Sequence, residues 1–390
     1  MVESLVDYVN PLQGTASTRE FSNGNTLAIT ARPFGMGHWC PQTDGNFHWF
    51  FHPDHRHFQG IRLTHQPSPW MQDYSQMVLF AQSDRLLPRQ SERASSYRTT
   101  DLQSKPHELA IYQRRDRTST RLCPTTRCAA LKIDFPEGRK WLILDTFDPS
   151  LEVKHDGDRL FLTIRSHTGG VPENFAQYVV VESLTPTDKL VSFEEDKRKG
   201  IAWELTAPQA TSVEFRVATS FISHEQALEN ASQELAGHSY DTLLSMAKKE
   251  WEDLLSRIQI QASDVEDYRT FYSCLYRSLL FPRIMHETDA TGKMIHYSPY
   301  NGKIESGPMV ADNGFWDTHR TVYSLFSIAY PDKLQFILNG WLNAYKEGGW
   351  FPKWSSPGYK ACMIGTHIDV IMVDAYRKEV EGIDWELAFE

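Results

Sequence analysis

Between Gly314 and His367 the chain concentrates residues able to hold a sugar. The segment Gly-Phe-Trp-Asp-Thr-His-Arg-Thr (314–321) is followed by Glu-Gly-Gly-Trp-Phe-Pro-Lys-Trp (347–354) and Cys-Met-Ile-Gly-Thr-His (362–367). Trp316, Trp350 and Trp354 offer flat apolar faces, while Asp317, Arg320 and His367 offer charge and directed hydrogen bonds. A pyranose needs that combination, because its C–H faces stack on aromatic rings and its hydroxyls require donors and acceptors. Each residue also has a plainer reading: tryptophans at helix ends close cores, and an Asp–Arg pair at i, i+3 is commonly a surface ion pair. Their grouping in one stretch favours the sugar.

Helices must position these loops. Val322, Leu325, Phe326 and Ala329 recur on one face, and so do Leu334, Ile337, Leu338, Trp341 and Tyr345 after Pro331. Pro331 suits a first helical position, and Gly348-Gly349 suits a left-handed stop. Further helices are expected at His224–Leu235, at Ser239–Ile258 and after the capping box Ser263-Asp-Val-Glu266, with one more around Ile368–Tyr376. The 285–313 loop holds Gly, Pro, Asn and Tyr and is too long to be idle.

Upstream the period is two. Short runs rich in branched and aromatic residues recur at Thr26–Thr30, Ile61–His65, Met77–Phe80, Ala110–Gln113, Trp141–Leu144, Leu160–Ile164, Tyr178–Val181 and Val213–Thr219. Asp156-Gly157 marks a tight hairpin. Strands at this spacing without intervening helices imply an antiparallel β-sandwich. The expected organisation is a sandwich over 1–222, a helical linker over 223–262 and only helices over 263–390. At the far end, Asp384–Glu390 opens a helix too short to stand alone, so the chain reads as the front part of a longer protein.

The 390 residues carry a net charge of −10 without a basic block, which excludes nucleic acid as a partner. No run is long and apolar enough to span a membrane, and no secretory signal opens the chain. Five scattered cysteines fit free thiols in a reducing cytoplasm, so a cytoplasmic location is expected.

The chain resembles glycoside hydrolase family 92, the calcium-dependent exo-acting α-mannosidases, along nearly its whole length. In the first half the resemblance rests on Asn-Pro-Leu-Gln-Gly-Thr (10–15), Gly-Asn-Thr (24–26), Pro-Phe-Gly-Met-Gly (33–37) and Gly-Ile-Arg-Leu-Thr-His-Gln-Pro-Ser-Pro-Trp (60–70). In the second half it rests on Phe-Tyr-Ser-Cys-Leu-Tyr-Arg-Ser (271–278) and on the 315–320, 347–354 and 363–367 motifs. The resemblance implies a β-sandwich packed on an (α/α)6 barrel, of which this chain holds the first part. It implies inverting hydrolysis of terminal α-linked mannose, with α-1,2 links expected, on a mannose-containing oligosaccharide. It also implies Ca²⁺, with most of its ligands, and the general acid and base, beyond residue 390. Trp316 and Asp317 would contact the terminal sugar; His65, Gln66 and Trp70 would form the sandwich's loop into the site, with Asn25 joining it. Glu287, Glu305 and Glu347 are not assigned a catalytic role. Two other readings are a carbohydrate-binding fragment without activity and a sandwich-plus-barrel glycosidase or phosphorylase acting on α-glucosides.

Overall fold

A computed structural model describes residues 4–16, 20 and 26–390. Two antiparallel sheets face each other. The six-stranded sheet runs, in spatial order, His38–Gln42, Gly60–Thr64, Met77–Ser83, Lys140–Thr146, Arg198–Leu205 and Thr187–Glu195. The eight-stranded sheet runs Glu152–Asp156, Arg159–Ile164, Gln177–Ser183, Ser212–Ser220, Cys128–Asp134, Thr118–Pro124, Leu109–Gln113 and Leu102–Ser104. Alternation along the strands decides which layer each side chain enters. In Cys128–Asp134, Ala129, Leu131 and Ile133 fill the space between the sheets, whereas Cys128 and Ala130 point outward. The outward set meets Ala227, Leu243 and Ala247 of the helices His224–Glu234 and Tyr240–Leu255, which form a third layer.

The helix Tyr240–Leu255 serves two cores. Its first turns cover the sheet; Trp251, Leu254 and Leu255 enter a second core with Tyr276, Phe326, Leu338, Trp341 and Ile371. Val6, Leu27, Ile29 and Phe34 join that second core, so the start of the chain packs with the helices rather than between the sheets. Trp251 Nε1 donates to the Ala31 carbonyl at 2.8 Å, and Arg277 donates to the carbonyls of Leu27, Pro11 and Gln13. Local signals set the helix ends. Ser223 and Ser239 accept from the third residue on, and Gly349 stops Pro331–Gly348 at φ 80°. Asp264, rather than Ser263, caps Val265–Ser278, accepting from the Glu266 N–H.

The second half is not exclusively helical, contrary to the periodicity. Arg283–Ile284 pairs with Val310–Ala311; His286–Thr288, Met294–Tyr297 and Ile304–Ser306 form a three-stranded sheet; and Asn313–Gly314 pairs with Trp354–Ser355. These strands are two to four residues long, too short to show a period of two. They turn the long 285–313 loop into an ordered wall between sandwich and helices.

Candidate functional site

The 312–320 segment is held at the seam between sandwich and helices by a buried polar network. Asp73 accepts from Arg62 and Thr64 side chains and from the N–H groups of His65 and Tyr74, all within 2.8–2.9 Å. The Tyr74 hydroxyl donates to Asp312 at 2.8 Å, and Arg283 donates to the same carboxylate oxygen. Arg283 also reaches the His65 carbonyl at 2.7 Å and the Met36 carbonyl at 3.1 Å. Burial pushes the Asp312 carboxyl upward, but the guanidinium in direct contact and the Tyr74 hydroxyl favour the ionised pair. Asp312 stands at φ 64°, a left-handed conformation that Asp tolerates better than most residues.

That bend delivers Gly314 against Trp354. A Cβ at Gly314 would lie 2.2 Å from the Trp354 ring, so only glycine lets the two segments pair. The turn Phe315–Thr318 follows, with the Thr318 hydroxyl donating to the Gly314 carbonyl at 3.0 Å. Trp316 is half-buried and Asp317 exposed. Arg320 does not orient Asp317, nor does it pair with it. Its guanidinium lies 4.7 Å from the Trp316 ring centroid and donates to the Trp316 carbonyl at 2.8 Å. Asp317 is thus left with no hydrogen bond or ion pair among the described residues. Partial desolvation raises its carboxyl, with the nearby Arg320 charge pulling the other way. The imidazoles of His319 and His367 approach to 4.4 Å, which brings the 362–367 motif beside this turn.

Trp350 is 77% exposed and its carbonyl accepts from the Tyr359 hydroxyl at 2.7 Å. It borders a cleft of about 520 Å³ lined also by Tyr345, Phe351, Thr366, Ile368 and Met372. The structure therefore gathers Trp316, Asp317, Arg320 and His367, with Trp350 across the cleft beside His367's neighbours. Trp354 is different: at 8% exposed, behind Gly314, it is structural and presents no open face.

The sandwich loop departs further from expectation. His65 is fully buried, its Nδ1 on the Tyr74 carbonyl at 2.8 Å and its Nε2 3.2 Å from Gln177. Burial and the Arg283 charge hold its imidazole well below the usual range, so it is a neutral core residue and not a sugar contact. Gln66 is buried and donates to the His48 carbonyl at 2.9 Å. Trp70 is 63% exposed, edge-on to Trp49 at 5.5 Å. Asn25 lies outside the described residues.

Sequence reasoning missed Asp312, Arg283 and Tyr74; the Asp312-Asn-Gly314 run was the available sign of a left-handed bend. Glu347 is paired with His296, Nε2 to Oε1 at 2.9 Å, while His296 Nδ1 meets the Gly307 carbonyl at 2.9 Å. Buried Glu287 accepts from the Phe221 N–H at 2.9 Å and Asn230 at 2.7 Å, and burial pushes its carboxyl up to about 7. Both carboxylates are held by structural partners. Among the described residues no three His, Cys, Asp or Glu side chains converge to hold a metal, so this donor set does not by itself fit Ca²⁺.

Comparison with known proteins bears on this arrangement. The model of the glycosyl hydrolase family 92 N-terminal domain matches residues 8–228, and that of the family's catalytic domain matches 226–390. The fold superposes on a family GH92 inverting mannosidase from Bacteroides thetaiotaomicron with a TM-score of 0.95 and 34% identity, covering 100% of this chain and 55% of that one. A GH92 α-mannosidase from the same organism in complex with mannoimidazole shares the fold at TM-score 0.85 and 21% identity, over 99% of this chain and 55% of that one. An uncharacterized secreted glycosidase of Arthroderma benhamiae is 30% identical over 186 residues, 46% of this chain and 20% of its own length. The chain thus spans about half the length of the solved structures and a fifth of the curated relative. It is a β-sandwich followed by a helical domain, and it belongs to glycosyl hydrolase family 92.

Proposed function

We propose that this chain supplies the sandwich and the first barrel helices of an inverting exo-α-mannosidase that removes terminal, α-1,2-linked mannose from oligosaccharides. The observation carrying the reading is the unpaired Asp317 carboxylate beside Trp316, set on a turn that a buried network fixes. It is supported by 34% identity over the whole chain to an inverting mannosidase. Asp317 can accept from two adjacent sugar hydroxyls while an indole face covers ring C–H groups. Inversion uses one carboxylic acid on the leaving oxygen and one carboxylate on water. Glu287 and Glu347, each with a structural partner, serve neither role, and the acid and base are assigned outside this chain. Calcium is proposed for the protein of full length, with its ligands coming from elsewhere, and the protein is proposed to be cytoplasmic.

A substrate panel tests this. A protein of the relatives' full length should release mannose from the non-reducing end of α-1,2-mannobiose and nothing from maltose or kojibiose. Glucose release from either α-glucoside, with mannobiose untouched, would replace the mannosidase with the α-glucoside reading.

A further inference from the structure

We infer that His319 is a positioning residue for the proposed reaction, acting through the turn that presents Asp317. The helix carrying Asp317, Phe315–Thr318, is a single turn of four residues. Such a turn is marginal on its own, and the carbonyls at its end lack helical N–H partners. The Trp316 carbonyl, one residue before Asp317, is held instead by two side chains. His319 Nδ1 lies 3.1 Å from it and 3.0 Å from the Phe315 carbonyl, while Arg320 Nη1 donates to it at 2.8 Å. Carbonyl oxygens only accept, so His319 Nδ1 carries a proton and donates to both.

The two side chains differ in how firmly they are held. Arg320 is exposed, and its guanidinium packs on the Trp316 ring of the same turn, 4.7 Å from the centroid. It moves with what it holds. His319 is half-buried, and its ring lies against the His367 imidazole, with centroids 4.4 Å apart and planes 35° from parallel. His367 opens the helix His367–Arg377, whose Ile368, Ile371 and Met372 are fixed in the second core. His319 therefore ties the Trp316–Asp317 peptide to a firm part of the fold. Asp317 has no hydrogen bond or ion pair among the described residues to aim it, so the backbone beneath it must. A carboxylate that meets two sugar hydroxyls gains from being in place before the sugar arrives. The inference rests on the mannosidase reading for its substrate.

Kinetics of a protein of the relatives' full length tests it, on whichever of α-1,2-, α-1,3-, α-1,4- and α-1,6-mannobiose the wild type cleaves fastest. His319→Phe keeps a ring against His367 but has no donor. It should lower kcat/KM at least about tenfold, mainly through kcat, with folding intact. His319→Asn, whose side-chain amide N–H can take the place of Nδ1–H, should restore kcat/KM to within about threefold of wild type. In an Asp317→Asn background, His319→Phe should cost less than about twofold more, because both changes act on one contact. Should His319→Phe fail to fold, His319→Met, also without a donor, takes its place. The role is overturned if the Phe variant matches wild type or if the Asn variant falls as far as the Phe variant. It is equally overturned if the Phe variant loses the same factor with and without the Asp317 carboxylate. A wild type that cleaves none of the four mannobioses overturns the mannosidase reading, and this inference falls with it.

Discussion

Asp317 and Trp354 sit in motifs that look alike as sequence, a tryptophan beside charged and polar residues, yet the fold uses them oppositely. Trp354 is a plug against Gly314. Replacing it with alanine removes a large buried ring and should cost about 3–5 kcal/mol, whereas Trp350→Ala, at an exposed ring, should stay within about 0.5 kcal/mol. Thermal or urea melting of the two variants checks the pair, and equal losses would refute the assignment. Asp317 has no structural partner to lose. In a protein of full length, Asp317→Asn should lower kcat/KM on an α-mannoside by at least a hundredfold, about 2.7 kcal/mol of transition-state stabilisation, with little change in melting. Unaltered kinetics would remove Asp317 from the site. Residue types revealed the chemistry available at 314–367; they could not reveal burial. His65 and Gln66 illustrate the limit, since a neutral core histidine and a sugar-binding one are written identically.

At the scale of elements, long periodic stretches were legible because burial of a face imposes a period. Leu160–Ile164, Val213–Thr219, the helix starting at Pro331 and its left-handed stop at Gly349 were readable within a residue or two. Strand Cys128–Asp134 alternates only over its last four residues, too few to read, because Cys128 and Ala130 on its outer face pack under helices and are apolar as well. The two-residue strands at the seam were invisible for want of length. Their anchor is the Arg283–Asp312–Tyr74 contact between the two halves. Asp312→Ala strands a buried guanidinium and should destabilise by about 3–5 kcal/mol; Tyr74→Phe should cost about 1–3 kcal/mol. Denaturant melts showing no loss for Asp312→Ala would mean that the pair does not fasten the seam. Glu287 gives the same junction a pH dependence. Burial raises its carboxyl to about 7, against an ordinary value of about 4.3. Over that window the folded state keeps a proton that the unfolded state releases, so stability falls as pH rises from about 4.3 to about 7. Glu287→Gln should flatten that slope, and an unchanged profile would show that Glu287 does not cause it.

At the scale of the molecule, the sandwich and the helices share contacts along the whole chain, from Val6 in the second core to the Lys360 ammonium on the Thr168 and Gly169 carbonyls. The helical side nevertheless exposes Ile328, Val370, Val373, Tyr376 and Phe389, an apolar face of the kind further barrel helices cover. The proposed calcium follows the same division. Among the described residues no three His, Cys, Asp or Glu side chains converge, so calorimetry should find no saturable Ca²⁺ uptake by residues 1–390 below about 1 mM. Tight binding would relocate the metal into this chain. The inverting α-mannosidase proposed for the seam stands or falls on the anomer of the first product. Proton NMR of a protein of the relatives' full length acting on an α-mannoside should show β-mannose first, with α-mannose growing in only by mutarotation. α-Mannose as the first product, or no mannose at all, would overturn the proposed inverting α-mannosidase.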